Sequence, residues 1–168
     1  MSINPQTTTI SLASPEHLTA VADLVTLAYT PYIARLNGKK PAPMTADYAA
    51  LISSSCLYIL CASSPPTATL SASSTVLGCI SLNMNTTGEA LEINNLAVSP
   101  SAQGKGYGKL LMKFAEDIAK EKGVKKLELY TNVKMVENLI LYKNLGYEEV
   151  GRWSEDGFER VFFIKELL

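Results

Sequence analysis

A chain of 168 residues that carries one histidine, one tryptophan and three cysteines has few of the usual reactive groups. The single imidazole, His17, falls in the first turn of a predicted helix on what reads as a solvated face, which argues against a Ser/His or Cys/His nucleophilic machine. Cys56, Cys61 and Cys79 are odd in number, sit among strand-like residues and lack CxxC spacing. They are expected to be buried thiols, not a disulfide framework, a nucleophile or a zinc site, and no metal is expected. An excess of one charge is also missing. Lys+Arg 15 against Asp+Glu 16 gives a formal net charge of -1, with no surplus of cations to neutralise phosphates, so a nucleic-acid partner is excluded. No run reaches the roughly 18 apolar residues of a membrane span. Nor does the Met1–Gln6 start show a basic patch followed by an apolar stretch, so the expectation is a cytoplasmic protein with no membrane partner.

What is present is a foldable core. With 47% hydrophobic residues, a chain of this length can bury roughly 70% of its unfolded surface without a staple, and residues 1–168 read as one domain. Charge is uneven: three of the 15 basic and three of the 16 acidic groups fall in residues 1–84, leaving 12 and 13 for residues 85–168. Ionic chemistry is therefore expected in the second half. The apolar first half suggests a homodimer.

Alternating residues predict a strand over Thr7–Ala13, and Ser14-Pro15 starts a helix that carries Leu18, Val21, Leu24, Val25 and Ala28 at helical spacing. Pro31, Asn37-Gly38, Pro41 and Pro43 are expected to end or bend that helix and to make a long loop before a short helix from Thr45 to about Ser53. Strands are expected over Cys56–Ala62, Thr75–Asn83 and Ala90–Val98, with Ser63–Ser74 as a flexible hairpin loop. A helix from about Gly104 to Lys122, a strand over Val124–Thr131, a helix over Lys134–Leu145 and a hairpin of Tyr147–Trp153 with Phe158–Ile164 complete the order. The pattern β-α-α-β-β-β-α-β-α-β-β predicts an α/β sandwich: a mixed, mostly antiparallel sheet of about seven strands with about four helices.

One segment carries a mechanism. Gln103-Gly104-Lys105-Gly106-Tyr107-Gly108 lies between a strand and an amphipathic helix, where alternate glycines and the helix N-terminus can direct successive N–H groups at an anion. A pyrophosphate fits there. Walker A spacing is absent, and the dinucleotide fingerprint would need a glycine where Lys109 stands, so an ordinary NTPase or dehydrogenase is disfavoured.

Gln103-x-x-Gly106-x-Gly108, preceded by Leu96-Ala-Val-x-Pro100, resembles the coenzyme-A signature of the GNAT superfamily of acetyl-CoA-dependent N-acetyltransferases. Asn138-Leu-Ile-Leu-Tyr-Lys-Asn-Leu-Gly-Tyr147 is similar to that family's later motif. The resemblance covers about residues 89–147. It implies a single-domain GNAT-like fold with acetyl-CoA as cofactor. It also implies that the pyrophosphate lies on Gln103, Gly104, Lys105, Gly106, Tyr107, Gly108 and Lys109. The pantetheine arm would then pair with Leu96, Ala97 and Val98 where a bulge splays the strand, and Asn94-Asn95 are candidates for that bulge. Asn138 is a looser carry-over as a contact of the arm.

Acetyl transfer needs a neutral amine, stabilisation of an oxyanion and a proton for the departing thiolate. With histidine nearly absent, a carboxylate is the expected base. Glu92 is the candidate, sharing by alternation a face with Asn94, Leu96 and Val98 before any bulge; Glu89 and Glu128 are alternatives, and an amine arriving neutral needs none. Tyr142, one turn beyond Asn138, is the candidate acid, at the position where the resemblance puts the family's catalytic tyrosine. The acceptor is expected between a lip containing Tyr29, Tyr32, Arg35, Lys39, Lys40, Met44, Asp47 and Tyr48 and a wall of Trp153, Phe158 and Arg160. The function expected is transfer of an acetyl group to a primary amine of a small molecule in a ternary complex. Acetylation of protein or peptide amines, or a non-catalytic coenzyme-A sensor module, are the alternatives.

Overall fold

A computed structural model of the chain describes residues 7–62 and 75–168. The expected loop Ser63–Ser74 and the start Met1–Gln6 lie outside the described residues. Seven strands form one sheet: β1 (Thr8–Leu12), β2 (Leu57–Ala62), β3 (Thr75–Met84), β4 (Leu91–Val98), β5 (Lys126–Asn132), β6 (Glu148–Glu155) and β7 (Phe158–Glu166). Their spatial order is β1-β2-β3-β4-β5-β7-β6, and only β4 and β5 run parallel. Four helices complete the fold: α1 (Leu18–Arg35), α2 (Tyr48–Ser53), α3 (Tyr107–Glu121) and α4 (Val136–Asn144). Element order and sheet type follow the sequence pattern: α3 makes the crossover between the parallel strands β4 and β5, whereas β1 and β2 pair antiparallel although α1 and α2 lie between them.

The core has two halves, one on each face of the sheet. Val21, Leu24, Val25 and Ala28 of α1 pack with Leu57, Ile59, Cys79 and Ala97, whereas Leu111, Met112 and Ala115 of α3 pack with Ile80, Leu91, Ile93, Leu127 and Phe163. The apolar first half feeds both sides of the core, most of it the α1 side, with Leu60, Ile80 and Leu82 on the α3 side. Cys61 and Cys79 are buried, while Cys56, just before β2, is half-buried.

The first helix passes through Pro31 and ends at Arg35, within the stretch of prolines and Asn37-Gly38 expected to end or bend it. Pro31 leaves the Leu27 carbonyl without its helical donor, and Leu27 is 61% exposed, so water can take that carbonyl. The glycine turn, expected as the first turn of the third helix, is coil and turn: α3 starts only at Tyr107 because Gly104 and Gly106 take φ values of 77° and 85°. His17 closes a capping box with Ser14, whose backbone N–H donates to Nδ1 at 3.0 Å. No group of His, Cys, Asp and Glu among the described residues could hold a metal ion, and no helix among them is long and apolar enough to cross a membrane.

Candidate active site

Strand β4 changes partners halfway along. Leu91, Glu92 and Ile93 pair with Leu127, Glu128 and Leu129 of β5, and beyond Ile93 the parallel pairing stops. β5 continues against β7 through Asn132, so the two central strands part from Asn94 onward. On its other side β4 stays paired with β3, but the register shifts: Ile93 faces Leu82, Leu96 faces Ile80, and Asn94 with Asn95 stand opposite Ser81 alone. This is a bulge at the position the sequence suggested. Ser81, fully buried, accepts the Asn95 N–H on its hydroxyl at 3.0 Å, supplying the acceptor that the shifted ladder withholds. The bulge also alters which side chains share a face. Leu96 and Val98 pack on the α3 side with Leu91 and Ile93, so Glu92 and Asn94 face the other way, and the alternation that joined all four is broken.

On one side of the parting lies a cleft of about 580 Å³. Its walls include Leu96, Ala97 and Val98 from β4, the turn Gln103, Gly104 and Gly106, the first residues of α3 (Tyr107, Gly108 and Lys109), and Asn138 and Tyr142 of α4. Tyr29 and Tyr32 of α1 close it. Gln103 ties the turn to the strand, its Nε2 donating to the Val98 carbonyl at 3.1 Å. Lys105 is exposed in the turn and does not line the cleft.

The glycines test whether a phosphate group fits. A Cβ added at Gly104, Gly106 or Gly108 would meet no atom within 4 Å. Gly104 and Gly106 are explained by their positive φ, but Gly108 is helical and uncrowded, where glycine costs about 1 kcal/mol against alanine. The chain alone gives no reason for it. A group approaching the N-terminus of the 15-residue helix α3 does, because open N–H groups and the positive end of the helix dipole meet there. The residues present fit a pyrophosphate.

Across the parting is a smaller pocket of about 60 Å³, walled by the loop Leu36–Pro43, by Ile93, Asn94 and Leu96 of β4, by Tyr130, Thr131 and Asn132 of β5, by Met135, and by Phe158 and Arg160 of β7. Tyr29, Leu96, Asn138 and Tyr142 line both spaces. The Tyr29 hydroxyl donates to the Leu96 carbonyl at 2.7 Å, holding α1 to the freed half of β4. Asn138 Nδ2 donates to Thr131 Oγ1 at 3.2 Å. Tyr142 is 6% exposed, and its hydroxyl has no hydrogen-bond partner among the described residues. Burial, followed by the influence of Tyr32, pushes that phenol well above its ordinary value, so it keeps its proton.

Several expected residues stand elsewhere. Glu92 lines a third space, of about 410 Å³ on the sheet face, with Glu128, Glu155 and Trp153, and not the pocket that holds Tyr142. Trp153 does not share the smaller pocket with Phe158 and Arg160; it lines the third space and stacks on Phe162 at 3.6 Å between ring centres. Tyr48 is buried in the α1-side core with its hydroxyl donating to the Pro43 carbonyl, and Asp47 caps α2. Arg35 pairs with Glu137 of α4 at 2.8 Å and turns away from the acceptor side. Lys39 donates to the Gly157 carbonyl, joining the loop after α1 to the β6–β7 turn. Thr131, Asn132 and Met135 were missed. Their signal was position: they follow the carboxyl end of a parallel strand, where crevices open in α/β sheets.

The site is thus an α/β fold with a parted parallel strand pair, flanked by a glycine turn on one side and a pocket with aromatic walls on the other. A sequence profile of the acetyltransferase (GNAT) family matches residues 27–147, and the chain belongs to that family, which uses acetyl-CoA. Over 83 residues it is 35% identical to a probable N-acetyltransferase 14 of Xenopus tropicalis, covering 49% of this chain and 40% of that protein. An IAA acetyltransferase of Azospirillum brasilense is 32% identical over 85 residues, 51% of this chain and 56% of that one. The chain therefore spans about half the length of these curated relatives. In fold it is similar to the PaiA N-acetyltransferase from Thermoplasma acidophilum, solved in complex with coenzyme A: TM-score 0.70, 20% identity, 95% of this chain and 99% of that one.

Proposed function

We propose that this protein transfers an acetyl group from acetyl-CoA to the primary amine of a small molecule by direct attack in a ternary complex. The observation that carries the reading is the shared wall. Two spaces meet across the parted strands at Tyr29, Leu96, Asn138 and Tyr142, and the Tyr142 hydroxyl has no hydrogen-bond partner among the described residues at that junction. When bound, the coenzyme supplies an activated acyl carbonyl and a sulfur leaving group. The turn 103–109 and the Val98 end of β4 hold its phosphates and arm, and the freed edge of β4 offers main-chain groups to the carbonyl. Tyr142 holds a proton on its hydroxyl for the departing sulfur, and burial keeps that proton in place across the working pH range.

No carboxylate lines the acceptor pocket among the described residues. Glu92 touches it only through Ile93, Asn94 and Tyr130, which wall both its own cleft and the pocket. Its part in removing the amine proton is therefore through water in the sheet-face cleft. Glu92→Gln is expected to lower kcat/KM at pH 6–7 by about tenfold, with the loss fading once the free amine predominates in alkaline buffer. A uniform loss at every pH would remove Glu92 from proton transfer.

The test of the function is thiol release from acetyl-CoA across amino acids, polyamines, aminosugars, simple amines and peptides. Amine-dependent release that Tyr142→Phe suppresses supports it. Coenzyme binding without release for any amine would make the protein a coenzyme-A-binding module.

A further inference from the structure

We infer that the preferred acceptor is a monoamine whose body carries no second charge, a class set by the walls of the pocket beyond Tyr142. This rests on the transferase reading above and narrows it.

The pocket meets its ligand with hydroxyls, amides and carbon. Leu36, Pro41, Pro43, Met135 and Phe158 supply apolar wall, and Asn94, Thr131 and Asn132 supply neutral polar groups. Among the described residues its one charged lining group is Arg160, 6% exposed. That guanidinium is already used: one nitrogen pairs with Glu155, another lies 3.2 Å from Asp156 Oδ2, and its carbon sits 4.2 Å above the Tyr130 ring. Two carboxylates leave no positive balance for a third. Nor does any acidic side chain line the pocket to meet a second ammonium.

A charge buried without a partner is strongly disfavoured, whereas apolar wall rewards apolar contact. A diamine would have to send its far ammonium past Asn94 and Tyr130 into the neighbouring cleft of Glu92, Glu128 and Glu155.

The experiment compares kcat/KM for acetyl transfer to n-butylamine and benzylamine with that for 1,4-diaminobutane, lysine and β-alanine, using the full-length protein. Butylamine or benzylamine is expected to exceed each charged-body amine by at least 100-fold after correction for the fraction of free amine. A diamine or amino acid within tenfold of the best monoamine would overturn the inference. Glu155→Gln with Asp156→Asn provides the second arm. Releasing Arg160 from both partners is expected to raise kcat/KM for β-alanine by at least tenfold while butylamine changes less than threefold. No gain for β-alanine, in a variant whose melting temperature still rises with acetyl-CoA, would show that Arg160 does not set the charge preference and would overturn that argument. If all five amines fail while an aminosugar or a peptide is acetylated, the inference falls and the transferase reading stands; if no amine of the wider screen is acetylated while acetyl-CoA binds, the transferase reading itself falls.

Discussion

The two spaces on either side of the parted strands are built by different rules. The larger cleft, proposed for the cofactor, draws most of its lining from one continuous stretch, Leu96 to Lys109, completed by α4 and α1, and its key elements are main chain: a freed strand edge, a glycine turn, a helix N-terminus. The smaller pocket, proposed for the acceptor, is assembled from residues of α1, the following loop, β4, β5, α4 and β7, which meet only when the whole sheet has formed. A main-chain site tolerates most side-chain changes but not a change of backbone shape or local charge. A side-chain site changes selectivity with almost any substitution. Substitutions can separate the two sites because each should fail in its own way.

The largest effect belongs to the main-chain site. Gly106 caps α3 at φ 85° and faces open space, so Gly106→Glu strains the backbone and puts a carboxylate where N–H groups converge. Coenzyme affinity is expected to fall by at least about 100-fold by calorimetry, with the folded protein intact by circular dichroism. Normal affinity would break the comparison outright.

At the junction the effect moves from binding to turnover. Tyr142→Phe removes the unpartnered hydroxyl while keeping the ring against Phe163 and Tyr147. Turnover is expected to fall roughly 10–1000-fold with coenzyme affinity within twofold. In the native protein the raised phenol gives no descending limb in kcat below about pH 10, since deprotonation lies above the ordinary tyrosine value. A limb near pH 8–9 that Tyr142→Phe abolishes would contradict this.

Legibility in the sequence follows the same division. The lining of the larger cleft could be read because Gln103, Gly106 and Gly108 are close in sequence and their spacing records a backbone shape. The bulge at Asn94-Asn95 could be suggested but not fixed, since its partner Ser81 lies 14 positions away and nothing local links them. Glu92 was placed by strict alternation, and the bulge, which adds one residue to the period, undid that placement. Tyr48 and Trp153 show the ambiguity of aromatics: both read as pocket walls, yet one fills the core and the other stacks on the sheet face. Pro31 alone could not fix where the first helix ends, because a helix can pass through a proline where the orphaned carbonyl reaches water.

Ser81 offers a middle-sized test, because it serves both halves of β4. Ser81→Ala leaves the buried Asn95 N–H without an acceptor, a loss of about 1–3 kcal/mol by urea denaturation. As the bulge sets where Leu96 emerges, kcat is expected to drop about tenfold. Stability lost with kcat unchanged would mean that the bulge survives without its hydroxyl acceptor.

The smallest effect is expected at Arg35, which joins α1 to α4 beside the cofactor cleft. Its guanidinium holds Glu137 at 2.8 Å and lies 5.2 Å from the Tyr32 ring centre; Tyr32 and Glu137 both line the cleft. Both charged partners are about half exposed, so water and salt compete for them. Arg35→Ala is expected to change coenzyme affinity by less than about fivefold, mainly through faster dissociation, and the difference from the native protein should vanish in 0.5 M salt. Acceptor preference should not move, because the pair stands on the cofactor side of the parting. A change in the order of amines with Arg35→Ala would mean that α1 couples the two spaces through Tyr29, whose hydroxyl already reaches the Leu96 carbonyl. The division between main-chain and side-chain recognition would then have to be redrawn around that helix.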